Sequence, residues 1–327
     1  MLDVSRMQEY TEPVKADLEA FDRGLADYLR GDSPLISSIA RHLLRSRGKR
    51  IRPAFLFLSS RAADSFTEYS VKASLAIELI HTATLLHDDV VDESDMRRGL
   101  KTVNAQWTNL ISVLMGDYLF AKAFRIMVET GSLELMHAIS MATERVSVGE
   151  LRQIEETGNY ALSEDEYLTV IADKTASLFT VSCEAGPILT NQQKSERNRL
   201  ATFGEKIGIA FQIADDLLDY VGDAETTGKE PGNDVLTGKV TLPLIYSLQK
   251  AKAKVRKEVL ALLKADETED KFQRVYEFVS DTGGIDYAYK RAADTAQQGL
   301  DAISRLHKSA YLDSLVSMVE FTTRRAS

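Results

Sequence analysis

The sequence predicts an almost entirely α-helical protein. Apolar residues recur at spacings of three and four along most of its 327 residues, as in Tyr10, Val14, Leu18 and Phe21. Only 6 prolines and 18 glycines are present, so few positions interrupt a helix. No linker rich in proline, serine or glycine divides the chain. We therefore expect a single domain, residues 1–327.

Net charge and cysteine content indicate which partners and which cellular compartment to expect. The net charge of −9 and the isoelectric point of about 5.2 argue against a nucleic-acid partner and against an anionic membrane surface. One cysteine, Cys183, allows no internal disulfide and fits a reducing cytoplasm. The sequence has neither the apolar core of a signal peptide nor an apolar run of about 20 residues. We expect a soluble, cytoplasmic protein.

Glycine, proline and capping residues set the boundaries of the predicted helices. A turn at 31–34 ends the first helix, and Asp32 or Ser33 would cap the second. Gly48 ends the second helix, and Pro53 can begin the third. The predicted helices span residues 2–30, 35–47, 53–64, 68–92, 105–129, 133–156, 164–189, 195–221 and most of 241–327.

One long segment, GDAETTGKEPGNDVLTGK, lacks a helical pattern. It spans residues 222–239 and contains four glycines and Pro231. A loop of this length in a helical domain is commonly functional or disordered. Because it directly follows an acidic cluster, we predict that it is a mobile lid.

The most informative stretch is LLHDDVVDESDMRRG, residues 85–99. Asp88, Asp89 and Asp92 interrupt an apolar helical run, and Asp88 and Asp92 share one helix face. Like charges at that spacing repel each other, and beside apolar neighbours they need a positive partner. His81, seven residues earlier, falls on roughly the same face as Asp88. His81 is therefore either a packed core residue or part of a functional site that includes the acidic cluster.

A second acidic cluster, Asp215, Asp216 and Asp219, ends another apolar helix. Carboxylate oxygens suit hard cations, so the two clusters predict a Mg²⁺ site fed from two sides. The sequence has no HExxH, no Cys/His set at zinc spacing, no Walker loop and no GxGxxG. The spacing Gly204-x-x-x-Gly208 instead indicates close helix packing.

Basic residues form two sets that could each bind a diphosphate. With Mg²⁺ bridging, the acidic clusters would hold one diphosphate and stabilise it as a leaving group. The donors that could assist there are Arg97, Lys174, Lys229 and Lys239. The set that could hold a second diphosphate without metal is Lys49, Arg52, His81 and Arg98. This asymmetry is useful if one diphosphate leaves and the other stays. The junction at 48–53 could equally be a solvated basic turn, and Lys174 could extend into solvent.

These motifs together resemble the trans-isoprenyl diphosphate synthases, the polyprenyl synthetase family. The matching pieces follow the family's order over about two thirds of the chain: GKRIRP (48–53), LIHTATLLHDDVVDESDMRRG (79–99), GELRQ (149–153), DKTASLF (173–179), GIAFQIADDLLDY (208–220) and GKEPGNDVLTGKVTLP (228–243).

The resemblance implies a fold of long, mostly antiparallel helices around a central cavity, the isoprenoid synthase fold, commonly in a homodimer. It implies head-to-tail condensation of isopentenyl diphosphate with an allylic diphosphate, such as farnesyl or geranylgeranyl diphosphate. The allylic C–O bond ionises, the double bond of isopentenyl diphosphate attacks the carbocation, and a proton is lost to pyrophosphate. The product, an all-trans polyprenyl diphosphate, would partition into a membrane.

The resemblance also implies roles for individual residues. Three Mg²⁺ ions would be bound by Asp88, Asp92 and Asp215, supported by Asp89, Asp216 and Asp219. The allylic substrate would contact Arg97, Lys174, Thr175, Gln212, Lys229 and Lys239. Isopentenyl diphosphate would be held by Lys49, Arg52, His81 and Arg98.

The residues that precede the first acidic cluster bear on product length. Short-chain members of the family carry an aromatic residue four or five positions before it, whereas this chain has Thr84 and Ala83. One helical turn of about 5.4 Å is close to the reach of one isoprene unit. We therefore expect a product of roughly six to eight units. Candidates for the floor of the cavity are Leu133, Met136 and Ile139.

Three alternatives remain. The chain could be the catalytic subunit of a heterodimeric synthase that needs a small non-catalytic partner. It could be a class I terpene cyclase, although such an enzyme has no need of GKRIRP for a second diphosphate. A non-catalytic partner subunit would be expected to lose one or both acidic clusters, and this chain keeps both.

Overall fold

The computed structural model describes residues 4–31, 33–45, 48–222, 231–265 and 270–323, and it confirms the predicted all-α class. The N-terminal helices are α1 (Val4–Thr11), α2 (Lys15–Leu29), α3 (Pro34–Arg45), α4 (Ile51–Ala62), α5 (Ser70–Val91), α6 (Val103–Gln106), α7 (Asn109–Glu129) and α8 (Leu133–Glu155). The remaining helices are α9 (Glu164–Ile171), α10 (Ser177–Leu189), α11 (Lys194–Val221), α12 (Asn233–Leu236), α13 (Leu242–Lys250), α14 (Ala253–Lys264), α15 (Lys271–Asp281), α16 (Gly284–Ala302) and α17 (Ala310–Thr323). Strands β1 (Met96–Arg97) and β2 (Leu100–Lys101) form a small antiparallel hairpin.

Several boundaries differ from the prediction. The first helix is broken by a 3₁₀ turn, Glu12–Val14, because Pro13 lacks the amide hydrogen that a continuous helix needs. The predicted helix 164–189 is interrupted by a π turn, Ala172–Ala176. Within the predicted loop 222–239, the described part contains α12, while residues 223–230 lie outside the described residues.

The centre of the main core is formed by α4 and α5. Five consecutive side chains of α4, Ala54 to Leu58, are fully buried. Most positions of α5 before Asp88 are buried as well, which is expected of a helix that is apolar on all sides. A second apolar cluster surrounds the C-terminal half of α11 and includes α13, α15 and α16. The carboxylates of α5 and α11 thus lie at the ends of well-anchored helices.

The prediction that Gly204 and Gly208 serve helix packing is confirmed. A Cβ at Gly204 would lie 2.5 Å from the carbonyl oxygen of Phe179, and one at Gly208 would lie 2.4 Å from the Cα of Ala176. Such distances are too short for any side chain, so α11 approaches α10 and the turn before it closely only because both positions are glycine. No described helix is long and apolar enough to cross a bilayer.

Candidate active site

A cavity of about 260 Å³ is lined by the C-terminal parts of α5 and α11 together with α9, the end of α8 and the segment that follows α12. Its polar lining comprises Asp88, Asp92, Arg97, Gln153, Glu156, Tyr167, Lys174, Gln212, Asp215, Asp216, Asp234, Lys239 and Thr241. Its apolar lining comprises Leu85, Leu162, Val170, Ile171 and Val240. The cavity therefore brings both acidic clusters together, as the sequence predicted.

Two aspartates of the first cluster, Asp88 and Asp92, face the cavity. Burial, followed by the nearby charge of Glu150, raises the pKa of Asp88 to about 7. Asp89 is buried, and one of its carboxylate oxygens accepts a hydrogen bond from Nε of Arg97 at 2.7 Å. This division follows from helix geometry, because Asp89 lies about 100° around the helix from Asp88.

The members of the second cluster also differ in role. Asp215 and Asp216 line the cavity. Burial, followed by the charge of Asp234, raises the pKa of Asp216 to about 8. Asp219 accepts a hydrogen bond from the backbone N–H of Asp234 at 3.0 Å, next to the start of α12. Asp219 thereby links the end of α11 to the segment that carries Asp234.

A chain of hydrogen bonds fixes one wall of the cavity. The hydroxyl of Tyr167 donates to one carboxylate oxygen of Asp216 at 2.6 Å, and the amide of Gln212 donates to the other at 2.7 Å. The hydroxyl of Thr175 in turn donates to the amide oxygen of Gln212 at 2.6 Å. Thr175 and Gln212, both predicted to contact substrate, are thus joined directly.

The lysines of the first basic set face carboxylates across the cavity. Nζ of Lys174 donates to Glu150 at 2.8 Å. Burial alone would lower the pKa of Lys174, but the charges of Glu150, Asp88 and Asp92 raise it. Nζ of Lys239 lies 3.7 Å from Asp92. Lys174 therefore does not extend into solvent, and its ammonium is available inside the cavity. Lys229 lies outside the described residues.

The second basic set gathers near the start of α4. The pKa of His81 lies well below its usual value because of burial, followed by the charges of Arg52 and Arg98. Burial lowers the pKa of Arg52 to about 10, and its guanidinium lies 4.9 Å from the centre of the Phe179 ring. Nε of Arg52 is buried and has no hydrogen-bond partner among the described residues. An anion at this position would give that N–H an acceptor.

The remaining basic residues near α4 behave differently. Lys49 is exposed. Arg50, which the sequence placed in the same basic junction, pairs with Asp22 at 3.1 Å and with Glu78 at 3.2 Å. Arg98 has a positive φ of 54° and approaches Gly48, where a Cβ would lie 3.0 Å from its Nη1. Arg98 therefore joins Arg52 and His81, whereas Arg50 is a structural residue.

The cavity offers the donors of a hard divalent cation. Within the described ranges, no three carboxylate, imidazole or thiolate groups lie close enough to bind an ion by themselves. Carboxylates nevertheless face the cavity from both α5 and α11, and no histidine or cysteine is among its lining residues. This donor set fits an oxygen-coordinated ion that is bound together with an oxygen-rich ligand.

Several polar residues of the site were missed when the sequence was considered alone. Among the cavity-lining ones are Gln153, Tyr167 and Asp234, and Glu150 binds Lys174 beside the cavity. Glu150 and Gln153 lie three residues apart within GELRQ, a motif that carried the resemblance but received no residue roles. Tyr167 gave no signal, since a tyrosine in an apolar helix is usually a core residue. Asp234 falls in the segment that was treated as an irregular loop.

The residues predicted to govern chain length lie on α5 before Asp88. Thr84 is half-buried one turn before Asp88, and its hydroxyl donates to the carbonyl of His81 at 2.8 Å. Ala83 is fully buried in the main core, as is Ile139 on α8. Leu133 is 81% exposed, so the prediction that it contributes to a cavity floor within one chain is wrong. Met136 is partly buried against the same core.

Comparison with known proteins gives consistent findings. The sequence pattern of the family described as polyprenyl synthetase matches residues 33–279. The octaprenyl diphosphate synthase of Haemophilus influenzae is 33% identical over 325 residues, covering 99% of this chain and 98% of that protein. Component 2 of the heptaprenyl diphosphate synthase of Bacillus subtilis is 32% identical over 309 residues, covering 94% of this chain and 88% of that protein.

Solved structures with the same fold also belong to polyprenyl synthases. A crystal structure of a polyprenyl synthase from Caulobacter crescentus, complexed with calcium and isoprenyl diphosphate, superposes with a TM-score of 0.91. It is 34% identical and covers 99% of this chain and 98% of its own. At this similarity the arrangement of the described helices is shared with that structure.

Proposed function

The chain belongs to the polyprenyl synthetase family and is a prenyltransferase, and from this membership we propose that it condenses isopentenyl diphosphate head to tail with an allylic diphosphate. One observation carries the proposal. Asp88 and Asp92 share one cavity with Asp215 and Lys174, while Arg52, His81 and Arg98 form a separate basic group. The first group suits a diphosphate that leaves, and the second suits a diphosphate that is only held.

In this proposal the allylic diphosphate lies between the two acidic clusters. When bound, three Mg²⁺ ions would neutralise its charge and that of the carboxylates, and would stabilise the departing pyrophosphate. Asp88, Asp92 and Asp215 would hold the metal. The calcium and isoprenyl diphosphate in the Caulobacter crescentus structure support a divalent metal in this role. Arg97, Lys174 and Lys239 would donate to diphosphate oxygens, and the Thr175–Gln212 pair would face the allylic carbon.

The second substrate, isopentenyl diphosphate, must be bound while its own C–O bond to the diphosphate stays intact. Arg52 and Arg98 carry charge in a partly dry environment, so their hydrogen bonds to a diphosphate would be strong. With the allylic C–O bond broken, the double bond of isopentenyl diphosphate forms the new C–C bond. The proton then lost from the adjacent carbon passes to the released pyrophosphate, so no protein base is required.

A direct assay tests the proposal. Purified protein, Mg²⁺, isopentenyl diphosphate and farnesyl or geranylgeranyl diphosphate should yield a longer prenyl diphosphate, detected by chromatography of the dephosphorylated product. EDTA should abolish the reaction, and excess Mg²⁺ should restore it. Condensation that continues in EDTA would refute the metal-dependent mechanism.

Product length follows from the surroundings of Thr84. Small residues precede Asp88, and relatives named for octaprenyl and heptaprenyl products support a long chain. We propose about six to eight isoprene units, counted as helical turns of about 5.4 Å along α5. Sizing the product of the assay tests this number.

We also propose a homodimer, formed through an apolar face on α7 and α8. Leu110, Leu114 and Val128 recur on one side of α7 with exposures of 69%, 56% and 61%. Further exposed apolar side chains lie along α8: Leu133, Met141, Leu151 and Ile154. An apolar surface of this extent needs a partner, and a face shared by two neighbouring helices suits a second copy of the chain.

Charge placed on this face is expected to disrupt the dimer. The double variant Leu110→Glu, Leu114→Glu should sediment as a monomer, because two carboxylates cannot be buried without partners. Val255→Glu, on the exposed side of α14, is the matched control and should leave the assembly unchanged. A wild-type protein that sediments as a monomer would contradict the proposal.

Alternatively, this face would receive a small non-catalytic subunit. The relative named as component 2 of a heptaprenyl synthase supports that reading. Elongation by this chain alone favours the homodimer, and absence of elongation favours the heterodimer. We further propose a cytoplasmic location and a single domain over residues 1–327. The buried, lone Cys183 supports the location, because it has no partner for a disulfide.

A further inference from the structure

Lys174 and Thr175 lie in the π turn Ala172–Ala176, which joins α9 to α10. A π turn adds one residue to a helical turn, and such turns are rare and occur mainly at functional sites. Because the extra residue shifts the register between α9 and α10, the directions of both side chains depend on what holds the turn.

The side chain of Asp173 anchors this turn to α8. Its two carboxylate oxygens accept hydrogen bonds from Nε of Arg145 and from Nη1 of Arg152, each at 2.8 Å. The two arginines are seven residues apart, so they project from one face of α8. The Asp173 side chain is only 15% exposed, which shields these ion pairs better than ordinary surface pairs.

The same face of α8 contacts Lys174 directly. A Cβ built on Gly149 would lie 2.4 Å from the backbone nitrogen of Lys174 and 2.7 Å from its Cα, so only glycine permits this approach. The next residue, Glu150, accepts the hydrogen bond from Nζ of Lys174. Helix α8 therefore holds both the backbone and the side chain at this point of the turn.

We propose that Asp173 is a positioning residue: its ion pairs with Arg145 and Arg152 hold the π turn on α8, and so aim Lys174 at the allylic diphosphate and keep Thr175 bonded to the cavity-lining Gln212. This inference rests on the proposed function. Neither arginine is among the cavity-lining residues, so their influence on substrate passes through the turn. Arg52, His81 and Arg98 are not among the lining residues of this cavity, so we expect binding of isopentenyl diphosphate to be independent of the turn.

The variant Asp173→Asn tests the proposal, because it removes the charge at nearly constant size. Two quantities are expected to rise about tenfold or more: the KM for the allylic diphosphate, and the Kd, with Mg²⁺, of its analogue with sulfur as the bridging atom. The KM for isopentenyl diphosphate is expected to stay within about twofold of wild type. Asp173→Glu, which keeps the charge, should recover most of the allylic affinity.

Glu184→Gln is the matched control. It breaks the 2.9 Å ion pair between Glu184 on α10 and Arg197 on α11, a partly buried pair that does not contact the π turn's anchor on α8 and includes no cavity-lining residue. It should lower the melting temperature without changing the KM for the allylic diphosphate. If Asp173→Asn fails to fold, Arg152→Gln gives the same comparison, because that guanidinium is 46% exposed.

Two results would overturn the positioning role. One is an unchanged KM for the allylic diphosphate in the variants, and the other is an equal rise in KM for both substrates, since a general structural defect affects both. Binding of the sulfur-bridged analogue distinguishes failure of the positioning role from failure of the proposed function. A wild type that binds no analogue refutes both, whereas equal binding by wild type and Asp173→Asn refutes the positioning role alone.

Discussion

Replacement of Asp88 by alanine is expected to lower kcat by about 10²–10³-fold, the loss that follows from removing one preorganised electrostatic contact to a leaving group. Asp88 faces the cavity opposite Asp215 and beside Lys174. Asp89, its neighbour in sequence, cannot take its place, because its carboxylate is engaged with Arg97.

The same substitution is not expected to destabilise the metal-free protein. Burial and the charge of Glu150 raise the pKa of Asp88 to about 7, so at pH 8 its charged form opposes folding. A carboxyl whose pKa is higher in the folded than in the unfolded state loses stability as pH rises through that range. Alanine removes this unfavourable term, and the melting temperature without Mg²⁺ should be equal to or higher than that of wild type.

The control for this experiment is Asp95→Asn. Asp95 is an exposed carboxylate in the same acidic stretch, and it does not line the cavity. It should leave kcat unchanged. An Asp88→Ala enzyme with wild-type kcat would contradict the catalytic role of this carboxylate, and one that fails to fold would contradict the expected stability.

The placement of the two acidic clusters on buried helices could be predicted from the sequence. Helical spacing alone places Asp88 and Asp92 on one face, and the apolar residues before them require that the helix be buried. The all-α class followed from the same periodicity. Spacing also separates Asp89 from its neighbours, although its partner Arg97 was identifiable only once the hairpin of β1 and β2 had brought that residue back toward α5.

Contacts between segments distant in sequence could not be predicted. The pair Tyr167–Asp216 joins residues 49 positions apart, and no local pattern identifies a tyrosine that bonds an aspartate. The π turn could not be predicted either, because the apolar periodicity over 164–189 indicates one continuous helix. Asp219 was expected to support metal binding, but its carboxylate also binds the backbone of Asp234, a role that depends on the path of the loop.

The second large effect is expected at Thr84, where Thr84→Phe should shorten the product toward a chain only one isoprene unit longer than the allylic starter. Thr84 lies one turn, about 5.4 Å, before Asp88 on the same face of α5. If the allylic diphosphate is bound at Asp88, its tail extends toward Thr84. A phenyl ring there would fill the space into which each added unit must move, and chain growth would stop while the first condensation proceeds.

The structure distinguishes Thr84 from Ala83 as a site for this test. Ala83 is fully buried, so Ala83→Phe also carries an overpacking cost of about 1–3 kcal/mol, and its effect on product length would be mixed with a loss of stability. Thr84 is half-buried and loses only its hydrogen bond to the carbonyl of His81. Thr84→Phe is therefore the more direct of the two variants.

Thr82→Phe provides a control of equal size on the same helix. Thr82 lies about 200° around α5 from Thr84, and its ring would point away from the face that carries Asp88. Chromatography of dephosphorylated products should show a shorter chain for Thr84→Phe and the wild-type length for Thr82→Phe. If both variants retain the wild-type product, the tail does not run along this face of α5, and chain length must be set by other residues.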